Sequence, residues 1–234
     1  MKNELVFNGI NLADYGVTQV DSIDSWAKPS RKYTKVAIPG RNGDLLIDEE
    51  SYENVPVPYR CIMPNNFKEN YLSLLSMLTS FGGYKRLEYT GDPQHFRMGK
   101  LETAVQPIPR AFLRFGTFPL SFDCMPQRWL KSGENWVSFT ASGSIFNPTS
   151  QKSKPIIRIH GTGSVMIGSK TITVNTAGTS YIDFDCSTLN AYEGAFNRNE
   201  NISIDFQALD LVPGNNGIVL DGVTVDIMPR WWEV

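Results

Sequence analysis

The chain has 234 residues, 41% of them hydrophobic and 20% charged, with a formal net charge of −2. That balance supports packed cores and excludes wholesale disorder, and the length is that of one large β-fold or about two domains. The lack of a long Lys/Arg run argues against tight, sequence-independent binding of nucleic acid, and no apolar run approaches the ~20 residues of a membrane span.

The opening MKNELVFNGINLADYG lacks the apolar core of a secretory leader, so synthesis in a reducing cytoplasm is expected. Cys61, Cys124 and Cys186 are far apart and form no C-x-x-C pair, which favours buried, reduced thiols over a zinc or redox site. The first third reads as strands and turns. Within it, Asn42-Gly43 is placed for a tight hairpin turn because both residues tolerate φ > 0. Val36 and Ile38 before the turn, and Leu45 and Ile47 after it, alternate as half-buried strands do. Asp44, Asp48, Glu49, Glu50 and Glu53 follow without a partner histidine. They read either as a metal or acid/base cluster or as a solvated hairpin exit, the second being the commoner use of a charge run.

A single helix is expected over about Asn66 to Phe81, where Phe67, Tyr71, Leu74, Leu75 and Leu78 share one face of a 3.6-residue period. Asn66 and Glu69 have the spacing of a capping box, and Gly82-Gly83 supplies a stop. Strands are expected at Tyr84–Tyr89, Phe96–Thr103 and Gly116–Cys124, with a turn at Gly91-Asp92-Pro93. From Met125 to Lys154 the composition shifts to Pro, Gly, Ser, Asn and Thr, which reads as an exposed connection.

After Pro155 the pattern is β throughout. Ile157/Ile159, Ile172/Val174, Ile182/Phe184/Cys186, Ile202/Ile204/Phe206 and Val223/Val225/Ile227 each alternate with polar residues. Turn signals, among them Gly168-Ser169, Pro213 to Gly217 and Asp221-Gly222, separate them. Short strands at this spacing argue a β-sandwich. The closing PRWWEV is too aromatic for a frayed tail, so Trp231 and Trp232 are expected to pack, as candidate inter-domain contacts.

Chemistry finds little support. His95 and His160 are the only histidines and lie in unrelated contexts, and no G-x-S-x-G elbow, H-x-x-x-H pair or calcium loop occurs. No catalytic, cofactor-binding or metal-binding residues are therefore assigned, and the chain is not expected to be an enzyme. Gly163 to Thr171 has phosphate-loop glycine spacing but offers Ser-Lys in place of Lys-Ser/Thr and has no following helix, so it reads as a hairpin. Asn201-Ile-Ser203 is a chance glycosylation triplet in a chain not expected to be exported. Trp129, Trp136, Tyr181, Tyr192, Trp231 and Trp232 are candidates for stacking on sugars, against the plainer reading that they fill cores.

In order and spacing the segments resemble the phage distal tail proteins, the baseplate hub components of long non-contractile tails. The resemblance rests on Gly40 to Asp48 (GRNGDLLID) with Tyr52 and Asn54, and on the helix ending in Gly82-Gly83. It continues through the hairpin Arg86 to Glu102, the strand Phe118 to Trp129, the KPIIRIHGTG segment and the closing MPRWWEV, and so covers essentially the whole chain. It implies a mainly β fold: an N-terminal β-rich domain with one α-helix (1–135) and a C-terminal galectin-like or carbohydrate-module-like β-sandwich (136–228), with a final strand (about 229–234) returning to the first domain. It further implies a homo-hexameric ring in the virion, at the distal end of the tail, with a channel that passes DNA. The partners implied are the tail tube protein, the tail-associated fibre or lysin protein, the tape measure protein and receptor-binding proteins, with no specific nucleic-acid binding and no membrane insertion. Arg41, Asn42, Gly43 and Asp44, charged at a projecting tip, are candidates for a contact between neighbouring subunits. The reading from another class is a soluble carbohydrate-binding module recognising host cell-wall glycans.

Overall fold

The structure is a computed structural model that describes residues 3–22, 28–102, 108–110 and 114–234. It is mainly β, and it divides into two compact units, Met1–Arg128 with Val234 and Trp129–Glu233.

The first unit contains β1 (Leu5–Phe7), β2 (Ile10–Asn11), β3 (Gln19–Ser22), β4 (Arg31–Val36), β5 (Leu45–Tyr52), β6 (Val55–Met63), the helix α1 (Phe67–Thr79), β7 (Lys85–Tyr89), β8 (His95–Leu101), β9 (Ile108–Arg110) and most of β10 (Phe115–Leu130). Its main sheet runs β2-β1-β7-β8-β10-β6-β3, with β9 beside β10. The antiparallel pairing of β6 with β10 is the spine. It sets Val55 opposite Cys124, Val57 opposite Phe122 and Cys61 opposite Phe118, so the apolar alternation of both strands falls on one face. α1 covers that face with Phe67, Tyr71, Leu74, Met77 and Leu78. Phe67 stacks on Tyr71 at 5.3 Å, and Tyr71 meets Phe118 edge-on at 5.0 Å. Gly116 is required beneath them, since a Cβ there would come within 2.5 Å of the Phe67 ring.

The helix starts differently from its sequence signal. Asn66 sits in the left-handed region (φ 47°, ψ 43°) and its side chain caps nothing. The Cβ of a capping residue must be held by extended backbone for its oxygen to reach the N2 or N3 amide, so the capping box is not formed. The expected strand end at Thr103 lies outside the described residues.

The second unit is a two-sheet sandwich. One sheet consists of β11 (Val137–Phe139), β13 (Ile156–His160), β16 (Ile182–Asp185), β17 (Asn190–Glu193), β18 (Phe196–Asn197) and β21 (Thr224–Met228), in the order β11-β21-β13-β16-β17-β18. The other consists of β12 (Gly143–Asn147), β14 (Gly163–Ile167), β15 (Lys170–Val174), β19 (Ile202–Ile204) and β20 (Gly214–Asp221), in the order β12-β20-β14-β15-β19. Ile157, Ile159, Ile182, Phe184, Val225 and Ile227 from the first sheet meet Val165, Ile172, Val174 and Ile218 from the second in one buried cluster.

Two polar stretches that read as linker or turn are folded parts of this sandwich. β10 continues to Leu130, and residues 140–154 contribute β12 and the buried Asn147, Thr149 and Ser153. Asn147 supplies the reason: its amide donates to the carbonyls of Gln151 (2.9 Å) and Leu211 (3.0 Å), and its oxygen accepts from the Thr149 amide (2.9 Å). In the Pro213–Gly217 stretch, Asn216 is buried in β20, donating to the Val212 and Gly214 carbonyls and accepting from the Val212 amide. Side-chain amides that satisfy backbone groups allow polar residues into a core.

The C-terminus is stitched to the start of this unit. The Leu130 amide donates to the Trp231 carbonyl (2.9 Å), and the Arg230 amide to the Gly133 carbonyl (2.8 Å). A Cβ on Gly133 would lie 2.3 Å from the Trp231 nitrogen, so the close approach needs glycine. The three cysteines are buried and free, and burial pushes the Cys61 and Cys124 thiols up to about 12.

Candidate functional site

β4 and β5 pair only with each other, as a two-stranded antiparallel ribbon apart from the main sheet. The ladder closes at Val36↔Leu45, so the connection spans residues 37–44 and is longer than the two-residue Asn-Gly turn the sequence pointed to. Pro39 explains this. It has no N–H to donate and ends the ladder before Ile38. The chain turns instead at Ile38–Arg41, where the Arg41 amide donates to the Ile38 carbonyl (3.1 Å) and Gly40 takes φ 80°. Pro followed by Gly is the pairing that a type II turn asks for. Asn42 is not among the positive-φ residues; Gly43 is, at 82°. Arg41, Asn42, Gly43 and Asp44 are all exposed at the ribbon's tip.

The ribbon's strands are not half-buried. Every residue of β4 is exposed, as is most of β5. Residues directly opposite share a face, so the register puts Val36, Leu45, Thr34 and Ile47 on one side and Tyr33, Lys35, Leu46 and Asp48 on the other. The first side is an apolar strip with nothing over it: Val36, Leu45 and Ile47 are 38%, 41% and 49% exposed. On the second, Arg31 Nε donates to Asp48 at 2.9 Å and its guanidinium lies 5.7 Å from the Tyr52 ring centre. Arg31 beside it holds the Asp48 carboxyl below its ordinary value. Thr34 donates to Glu49 at 2.7 Å. The acidic run is thus spent on cross-strand partners in solvent, and no metal-holding group of His, Cys, Asp or Glu occurs among the described residues.

A polar and aromatic layer lies on the outer face of the β11-β21-β13-β16 sheet. Successive strand pairings place Ser138, Asp226, Arg158, Asp183 and Tyr192 in one row. Arg158 grips Asp183 with two bonds, 2.7 and 2.9 Å, while its guanidinium lies 4.9 Å from the Trp136 ring centre and 4.4 Å from that of Tyr181. Asp226 accepts from Ser138 and meets His160 Nε2 at 3.1 Å. Burial pushes the Asp226 carboxyl up, but these two bonds outweigh it and hold it below its ordinary value. Of the aromatics singled out in the sequence, Trp136, Tyr181 and Tyr192 belong to this unit's surface. Trp231 is buried within the second unit's own core, 5% exposed, and the Trp232 ring N–H donates to the Lys152 carbonyl at 2.9 Å.

In the first unit, Asp92 accepts from His95 Nδ1 (2.7 Å) and from Arg128 (3.0 and 2.7 Å). Burial acts to raise the Asp92 carboxyl, and the two partners bring it below its ordinary value. This cluster brings together residues that sequence reasoning treated only as a turn, a lone histidine and a strand. None of its signals is local, because β8 and β10 must pair before the residues meet.

No family model matches the chain, and no curated protein does. Solved structures do. Over its full length, and the full length of that chain, it superposes on the Dit (gp 19.1) protein of phage SPP1, described as a paradigm of the hub adsorption apparatus in phages infecting Gram-positive bacteria, with a TM-score of 0.71 at 15% identity. A chain of the phage P2 baseplate in its calcium-activated conformation matches with a TM-score of 0.51 at 9% identity, covering 97% of this chain and 98% of that one. The strontium-activated baseplate gives 0.50 at 9% identity, covering 97% of each. The fold is therefore that of a phage tail hub protein.

Proposed function

We propose that this chain is a structural distal tail protein, six copies of which close a ring at the end of a long non-contractile phage tail. The ring joins the tail tube to the tip proteins, the fibre or lysin protein among them, and leaves a channel for DNA. The role is architectural and not enzymatic. Full-length likeness to hub proteins supports the class of assembly, and one observation in this chain carries the reading: the uncovered apolar strip of the β4–β5 ribbon. A two-stranded ribbon is marginal in water by itself, and three apolar side chains on one exposed face fit a surface that is dry in the assembled state. A neighbouring copy is the occupant we assign, because a heterologous contact of this kind closes into a ring. The tip residues Arg41 to Asp44 lie where they would reach that neighbour. The near-neutral charge of the chain suits a conduit, since a strongly cationic lumen would hold DNA through counter-ion release.

The test is native mass spectrometry or light scattering of the whole chain, alone and with tail tube protein, for the wild type and for a Leu45→Asp/Ile47→Asp double variant. We expect ring assembly by the wild type and folded monomers from the variant. A variant that assembles as the wild type does would remove the ribbon from the interface.

The second reading, a glycan-binding role for the sandwich, is favoured by the Trp136–Arg158–Tyr181 layer, where aromatic faces stand beside charged hydrogen-bonding groups. Glycan-array binding that is lost on Trp136→Ala would support it, and an array without signal would leave the layer as a cross-strand ladder.

A further inference from the structure

Arg97 lies on β8 opposite Leu87 and is only 8% exposed. Its Nη1 is fully buried and finds no hydrogen-bond partner among the described residues. The nearby carboxylate, Asp92, is already committed: its two oxygens serve His95 and Arg128. Arg128 is itself a second cation in the cluster. Two guanidiniums against one carboxylate leave an excess positive charge in a region of low polarity. Burial lowers the pKa of Arg97, yet a guanidinium does not give up its proton at ordinary pH. Buried charges in folded proteins are paired, so a water molecule, which would satisfy the N–H but not the charge, answers only half of the problem.

Beside Arg97 is a cavity of about 20 Å³ lined by Val57, Tyr59, Leu87, Tyr89, Asp92 and His95. One water-sized occupant needs roughly 10–15 Å³ on this measure. The space admits one such species and excludes phosphate, sulfate or a nucleotide. Tyr59 is held as a neutral phenol by burial, so it adds no negative charge of its own.

We infer that this cavity is a binding site for a single small monovalent anion of halide size, held by the Arg97 guanidinium. The anion would neutralise the excess charge and fasten the start of β8 beside the Asp92–His95–Arg128 cluster. This site is independent of the ring reading, because it lies inside one subunit and needs no second copy.

The experiment uses the full chain. Thermal melting is followed at fixed ionic strength while gluconate, too large for the cavity, is exchanged for chloride and then bromide, and a crystal grown in bromide is measured at the bromine edge. We expect the melting temperature to rise with halide concentration, and an anomalous peak within hydrogen-bond distance of Arg97. In Arg97→Met the halide-dependent rise should vanish while the protein stays folded, because removing an unpaired buried charge is commonly neutral or better. Should that variant fail to fold, the wild-type peak and halide series still decide. The inference is overturned by a wild-type melting temperature that ignores halide, by a site holding only water, or by one filled by a carboxylate from another chain.

Discussion

The β4–β5 ribbon and the β13–β21 pair of the sandwich are built from similar sequence. Each alternates apolar and polar residues, Val36, Leu45 and Ile47 in one and Ile157, Ile159, Val225 and Ile227 in the other. Their fates are opposite. Ile157 and Ile159 are fully buried, whereas Ile47 stands 49% exposed on an uncovered face. Alternation reports that a strand has a face in need of a partner. It does not say whether the partner lies in the same chain. In the sandwich the second sheet supplies it; in the ribbon no described residue of the subunit does.

The largest effect that would sharpen this contrast is at the sandwich's C-terminal edge. Truncation after Pro229 removes the buried Trp231 ring and the two-bond Arg230–Asp185 pair. Loss of a buried aromatic costs about 3–5 kcal/mol, so calorimetry should show a much lower melting temperature for the second unit. Unchanged melting would mean that Trp231 is not part of its core.

Next comes the direct comparison. Ile159→Ala should lose about 2–5 kcal/mol by leaving a cavity, while Ile47→Ala should stay within about 0.5 kcal/mol for the isolated subunit. Denaturant melts of both variants, made under conditions where the subunit is monomeric, check this. Equal losses would break the comparison, since they would require the ribbon to be packed within its own subunit.

Gly133→Ala should follow, at about 1–3 kcal/mol, because the new methyl must displace the Trp231 backbone and overpacked sites relax only in part. The same substitution at Gly43, whose Cβ would meet nothing but whose φ is 82°, strains only an exposed tip. It should leave the sandwich's melting unchanged.

The smallest effect concerns acid. Asp92, Asp185 and Asp226 are each held below their ordinary value in the folded state, by bonds that outweigh the opposing effect of burial. A depressed folded pKa contributes stability that is present above the unfolded value, about 4, and lost as pH falls through the folded one. Melting temperature should therefore drop below about pH 5. Asp185→Asn should lower stability at pH 7 and flatten that drop. Asp48→Asn on the ribbon should do neither to a measurable extent, because its pair with Arg31 is fully exposed and screened.

The sequence by itself determined the helix and most of the sandwich. Phe67, Tyr71, Leu74 and Leu78 leave one apolar stripe that only a 3.6-residue period can gather, and pairs such as Ile157/Ile159 and Ile182/Phe184 leave one that only an extended chain can. It also pointed to the ribbon, though it placed the turn at Asn42-Gly43 because the consequence of Pro39 for the ladder was overlooked. What only the tertiary structure decided are features made by groups distant in the chain. Residues 140–154 and 213–217 read as linker and turn, yet Asn147 and Asn216 are buried, because their amides find backbone partners, some of them only when the sandwich closes. Arg97 carries no local sign of burial; β7 and β10 on either side of β8 enclose it. The exposure of Val36, Leu45 and Ile47 is likewise invisible to periodicity, since period is a property of one strand and burial a property of what packs against it.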